Sequence, residues 1–102
     1  MTVQEAYPHY RTATTTEGAG GSNVGTTTAA IAAANSSRSY FHVCNTHATQ
    51  VLYLAFGENA VAAKGITLQA GECYEMKGSS IFTGAINGIA SGATTTYTFV
   101  EW

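Results

Sequence analysis

Three histidines, two cysteines and six glutamates are this chain's main candidates for acid–base, nucleophilic or metal chemistry, and it contains no aspartate. His42 and Cys44 stand at i and i+2, a spacing that puts both on one face of a strand, and His47 follows in the next turn. A nucleophile pair can be written from Cys44 with His42 or His47. Such a pair also needs a group to orient the imidazole and donors for an oxyanion, and the sequence offers neither. A structural or solvent-facing role is therefore expected for both histidines. His9 lies in a segment too poor in apolar residues to hold a catalytic geometry alone. Without aspartate, no Ser-His-Asp triad and no Asp-ligated metal site can form. Glu72 and Glu75 fall on opposite faces of one strand, so they do not converge as a glycosidase pair must. Glu58 and Glu101 read as isolated, solvated charges.

Cys44 and Cys73 have no other cysteine or histidine at metal-ligand spacing, apart from His42 on the strand of Cys44. The run from Met1 to Pro8 lacks the basic and apolar regions of a secretory signal. The chain is thus expected to be made and kept in a cytosol, where thiols stay reduced. Free, buried thiols follow as the expectation; if both strands face inward the two sulfurs can approach, which leaves a disulfide open as the alternative. Gly18-Ala19-Gly20-Gly21-Ser22 lacks the lysine and the strand–helix context of a phosphate loop. No catalytic residue, cofactor or metal is assigned, and an enzyme is not expected.

Arg11, Arg38, Lys64 and Lys77 are scattered, whereas phosphate backbones are bound by clustered positive charge, so nucleic acid is not an expected partner. No apolar run is long enough to span a bilayer as a helix, and no membrane is expected. Charged residues make up 10% of the chain against a usual level of about 25%, and the net charge is −2. A surface so poor in charge suits a protein covered by its neighbours, in a homo-oligomer (a trimer fits a three-fold position) or a larger assembly.

From Arg38 onward, short apolar runs alternate with turn residues. Strands are predicted at 39–45, 50–56, 66–69, 72–76, 85–90 and 94–101, with an extended run of small residues at 27–34. Leu52, Leu54 and Phe56 share one face of their strand. Tyr74 pairs with Met76, and Tyr97 with Phe99, in the same way. Gly84 and Gly88 suggest a turn and a bulge. Spacings of about 8–12 residues between strands, with short connections, predict a small antiparallel β-sandwich, jelly-roll or immunoglobulin-like. The threonine run Thr94-Thr95-Thr96 reads as an edge strand.

Up to Ser37 the composition is mostly Thr, Ala, Gly and Ser, with few large apolar side chains. Ordering such a segment costs about 1–2 kcal/mol per residue, which it cannot recover by burial of its own. It is expected to lie on a partner. The chain divides into an extended N-terminal arm, 1–25, and a β-sandwich domain, 26–102. The arm's contact residues are expected to be Tyr7, Pro8, His9, Tyr10, Arg11, Thr15 and Val24. Trp102 joins them, because a tryptophan at a strand end is a typical interface anchor. Tyr40, Tyr53, Tyr74 and Tyr97 offer a further reading, a platform for sugars.

The compact half resembles small virion proteins of tailed bacteriophages. The residues that carry the likeness are Arg38-Ser-Tyr-Phe-His-Val-Cys-Asn45, Leu52-Tyr-Leu-Ala-Phe-Gly57, Gly65-Ile-Thr-Leu68 with Ala70-Gly71, Tyr74-Glu-Met76 and Phe82-Thr-Gly-Ala-Ile-Asn87. In that pattern a basic residue opens a strand that ends in asparagine. The resemblance covers about half the chain and has no catalytic signature. It implies a β-sandwich virion component, assembled in the host cytoplasm: a capsid decoration or cement protein bound to the major capsid protein, or a neck, tail or head-fibre accessory protein. A carbohydrate or host-surface binding module is the alternative from another class.

Overall fold

Alternation of buried and exposed side chains is what makes these short segments strands. In β3 (Tyr40–Asn45), Phe41, Val43 and Asn45 point inward while Tyr40, His42 and Cys44 point out. The structure, a computed structural model, describes residues 23–102. The other strands are β1 (Asn23–Val24), β2 (Ala29–Ala32), β4 (Leu52–Phe56), β5 (Ile66–Leu68), β6 (Cys73–Lys77), β7 (Ile86–Ala90) and β8 (Thr95–Glu101). A single turn of 3-10 helix at Gly78–Ser80 is the only helical element among the described residues.

The strands form one antiparallel ribbon that is rolled up. β4 and β5 make its hairpin, and β3–β6, β2–β7 and β1–β8 extend it as successive antiparallel pairs. Rolling the ribbon onto itself adds the pairs β3–β8 and β4–β7. Two four-stranded sheets result, ordered β1-β8-β3-β6 and β2-β7-β4-β5. This nested order defines a jelly roll, the first of the two sandwich types expected. Every connection except the β4–β5 hairpin changes sheet.

Between the sheets lies one apolar core. Phe41, Val43, Leu52, Leu54 and Ile86 are fully closed to solvent. Each such side chain contributes about 1.5–3 kcal/mol relative to exposure. Gly88 does not form a bulge. An added Cβ there would lie 2.5 Å from Ile31 Cδ1, so the missing side chain makes room for Ile31. The irregular register falls in β2, across from Asn87 and Ile86, between Ala30 and Ala32, where Ile31 is the extra residue. That bulge lets Ile31 and Ala32 both be buried in succession.

A rolled ribbon must bend where paired strands cross from one sheet to the other, and buried polar side chains hold two of these bends. At one, Arg38 is 3% exposed. Its Nη1 donates to the carbonyls of Phe82 (2.6 Å) and Gly84 (3.0 Å), its Nη2 to that of Ala33 (2.8 Å), and its Nε to Glu101 Oε1 (2.8 Å). Its guanidinium also lies 5.3 Å from the Phe41 ring centroid. One side chain thereby ties the β2–β3 connection to the β6–β7 connection and to the end of β8. At the opposite end, Asn45 is fully buried. Its Nδ2 donates to the carbonyls of Gln50 and Leu68, both at 2.9 Å, and its Oδ1 accepts from His47 N at 3.0 Å. Its main chain pairs with Glu72 and Gly71 across the β5–β6 bend.

Four further expectations change. Glu101 is not an isolated, solvated charge but the largely buried partner of Arg38, which main-chain carbonyls at the bend draw inward as their donor. Val24, expected at an interface, is 3% exposed and belongs to the core. Asn23 and Val24, in the range assigned to the arm, pair with Thr96 and Thr95. That pairing puts β8 inside its sheet, so Thr94–Thr96 is not an edge, and Thr95 is fully buried.

Candidate functional site

The outer face of β8, β3 and β6 collects most of the chemistry the sequence offers. Register sets its rows: Val100, His42 and Glu75 form one, and Thr98, Cys44 and Cys73 the next. Tyr40 lies across from Lys77. On its other side Trp102 continues the pairing of β8, accepting hydrogen bonds from Ser39 N and Tyr40 N and donating to the Tyr40 carbonyl. The Trp102 and Tyr40 rings stack at 4.3 Å and 15°. Tyr40 and His42 lie nearly parallel at 6.5 Å, so the three rings form a row.

The Tyr40 hydroxyl donates to Glu75 Oε2 at 2.6 Å. Desolvation, then this bond and the carboxylate's charge, push the Tyr40 phenol up to about 12. The same bond holds the Glu75 carboxyl below the usual carboxylate range, against a smaller opposing effect of desolvation, with Lys77 and His42 adding to the lowering. Lys77 Nζ lies 3.8 Å from Glu75 Oε1, and both side chains are exposed, so solvent screens that ion pair and it adds little.

Cys44 and Cys73 form a disulfide, which overturns the expectation of free, buried thiols. They sit directly opposite each other in the β3–β6 pair with Cα atoms 4.0 Å apart. Both face outward, Cys44 half-buried and Cys73 exposed. His42 Nδ1 lies 3.9 Å from Cys44 Sγ. No free thiol remains among the described residues, so the Cys44 pairings with His42 or His47 have no nucleophile in this form. His47 has another task. Its Nδ1 accepts from Thr49 N and Gln50 N, both at 3.0 Å, which fixes the β3–β4 turn and puts the ring proton on Nε2.

The four tyrosines do not make one platform. Tyr53 is on the outer face of the other sheet. Tyr74 packs beside Phe56 at 5.9 Å, and Tyr97 is buried next to Phe99. Only Tyr40 joins Trp102. A mostly apolar cleft of about 460 Å³ lies by the β4–β5 hairpin, lined by Phe56, Val61 and Ile66 with Glu58 and Lys64. Val61, 51% exposed, is the one large apolar residue in the exposed class among the described residues. Tyr7, Pro8, His9, Tyr10, Arg11 and Thr15 lie outside the described residues. No helix among the described residues is long and apolar enough to cross a membrane.

Nothing in the sequence pointed to Glu75 as the partner of Tyr40, and the Cys44–Cys73 bond ranked there below free thiols. Both partnerships follow from one register, β3 against β6, and the alternation within each strand was the only local signal for it. No protein-family model, curated protein or solved structure matches the chain.

Proposed function

We propose that this chain is a structural protein of a bacteriophage particle, a capsid decoration or cement protein that binds the major capsid protein and spans neighbouring subunits. The observation that carries this reading is the rolled ribbon itself, an eight-stranded jelly roll that follows a 22-residue segment poor in large apolar side chains. Jelly rolls are a common architecture of capsid and lectin domains, so the fold supports the reading by analogy and the likeness of the strand segments to phage virion proteins adds to it. Residues 1–22 precede β1, which begins the strand order β1-β8-β3-β6, and this arm is the segment we assign to contact with neighbouring subunits. Many weak contacts of this kind, linked in one shell, raise avidity by about 10²–10⁴.

The test is occupancy on particles. Full-length protein should coat shells lacking it in copies that match the shell lattice, and a chain lacking residues 1–22 should fall to a small fraction of that coverage. Full coverage by the truncated chain sinks the arm's role. A copy number of six or twelve favours the neck, tail or fibre position. One observation favours the lectin-like reading, the stacked Trp102–Tyr40 pair beside Glu75 on an outer face. Glycan binding lost in Trp102→Ala would favour that reading over the shell.

A further inference from the structure

We propose that Cys44, Cys73 and His42 become a binding site for a thiophilic divalent cation, Zn²⁺ by preference, once their disulfide is reduced. His42 and Cys44 occupy alternate positions of β3, and Cys73 sits opposite Cys44 on β6, so three donor side chains rise from one face at neighbouring positions. The His42 nitrogen and the two sulfurs all lie within 4.8 Å of one another, and His42 Nδ1 is 3.9 Å from Cys44 Sγ. Zinc bonds of about 2.3 Å to sulfur and 2.0–2.1 Å to nitrogen, at tetrahedral angles, put donors roughly 3.5–3.8 Å apart. The nitrogen–sulfur edges therefore need only small side-chain rotations. The sulfur–sulfur edge opens when the bond between them is broken, because two unbonded sulfurs repel to about that separation.

Donor chemistry selects the ion. Two thiolates and one imidazole suit zinc and its soft neighbours, while magnesium and calcium prefer oxygen ligands. Nδ1 is the donor, so the ring proton resides on Nε2. Glu75, opposite His42, is the adjacent carboxylate in register, but the Tyr40 hydroxyl holds it at 2.6 Å. Water then completes the fourth position on this solvent-facing surface.

The switch balances with a small-molecule thiol as reductant. Its thiolate attacks the exposed Cys73 sulfur, the protein's S–S bond breaks and Cys44 leaves as thiolate beside His42. A second thiol molecule resolves the mixed disulfide, so two reductant thiols become one disulfide and the protein gains two thiols. Metal binding then displaces their two protons. One site thus has two mutually exclusive cross-links between β3 and β6, a disulfide under oxidising conditions and a metal bridge under reducing ones. This inference does not depend on what the protein docks on.

The test uses the full chain and Co²⁺ as the probe. Reduced protein should take up one equivalent and develop a sulfur-to-cobalt charge-transfer band with tetrahedral visible bands, both abolished by Zn²⁺. The oxidised protein should show neither. His42→Ala should weaken Co²⁺ binding by at least about tenfold, since even second-shell losses cost about 10–100-fold. Cys73→Ser should lose most of the charge-transfer intensity while circular dichroism stays that of a β-protein. Should that variant not fold, wild-type protein still decides: Zn²⁺ must slow alkylation of both cysteines. Absence of the band in reduced wild-type protein, unaltered affinity in His42→Ala, or unprotected cysteines would each overturn the proposal.

Discussion

The two sides of β3 carry polar side chains under opposite regimes. Inward, Asn45 and the arginine just before the strand, Arg38, are closed to solvent and surrounded by partners within the fold. Outward, Tyr40, His42 and Cys44 are half-exposed, placed by the same register but with room to change partners. A buried polar group left unpaired costs about 1–3 kcal/mol, and more when charged, so the inner set is fixed by the bends of the ribbon and has no freedom to do anything else. The outer set faces no such demand, and chemistry with an ion or a partner belongs there. The contrast is measurable: inner substitutions should lower stability, and outer ones, the disulfide apart, should change what the face binds and leave stability nearly unaltered.

Arg38→Ala is the severest way to test the inner side. It removes four hydrogen bonds and leaves the Glu101 carboxylate, whose side chain is 13% exposed, without its cation. Breaking a buried pair from one side costs about 3–5 kcal/mol, a large part of the 5–15 kcal/mol typical of a domain. Denaturant unfolding should show this as a lower midpoint at similar slope. Arg38→Lys should recover little, because an ammonium group cannot reach four acceptors held in a fork. A loss under about 1 kcal/mol, the level of a surface pair, would erase the contrast.

Opening the disulfide comes next, and it sits on the outer side. The cysteines are separated by 29 residues, and a loop of that length corresponds to about 3–4 kcal/mol of stability through the unfolded state. The Cys44→Ser, Cys73→Ser double variant should therefore melt well below the oxidised protein yet give the same pattern of protected strand amides. A different pattern would mean that the bond, not the core, sets the register.

Asn45→Ala should cost about 1–3 kcal/mol by stranding the Gln50 and Leu68 carbonyls. Hydrogen exchange should quicken first at the β3–β4 and β5–β6 bends. Uniform quickening would mean that Asn45 supports the whole fold rather than its corner.

Much of this architecture was legible in the residues, and the physical reason is local. Alternation within Leu52-Tyr53-Leu54 or Tyr97-Thr98-Phe99 marks strands and faces without knowledge of the partner. The order of strands is not local: β1 pairs with β8 from the far end of the chain, and its two residues were hidden in a segment read as arm. Arg38 read as an isolated cation because three of its acceptors are main-chain carbonyls, which every residue type has and no sequence reveals. A basic residue just before a strand and an asparagine at its end are visible in the sequence, and in this chain both hold bends of the ribbon. Cys44 and Cys73 needed the β3–β6 register, which pairs strands separated by a whole hairpin.

The smallest effect is expected at Tyr40, and its pH dependence runs in both directions. The phenol lies at about 12 in the folded protein against an ordinary 10.0, so the native state holds this proton more tightly than the unfolded chain. Its contribution is complete below pH 10 and is lost as pH rises from about 10 through about 12. Glu75 behaves oppositely: its carboxyl lies below the ordinary 4.5, so its contribution is present above that value and is lost as pH falls through the folded one. Tyr40→Phe removes the shared hydrogen bond and should flatten both limbs, while stability at neutral pH drops by no more than about 1 kcal/mol, as for other exposed cross-strand pairs. An ultraviolet titration of wild type minus Tyr40→Phe isolates this one phenol. A midpoint near 10 would mean that Glu75 does not hold the hydroxyl, and the carboxylate would then be free to swing toward His42. The outer face would in that case carry one more metal ligand than the geometry gives it.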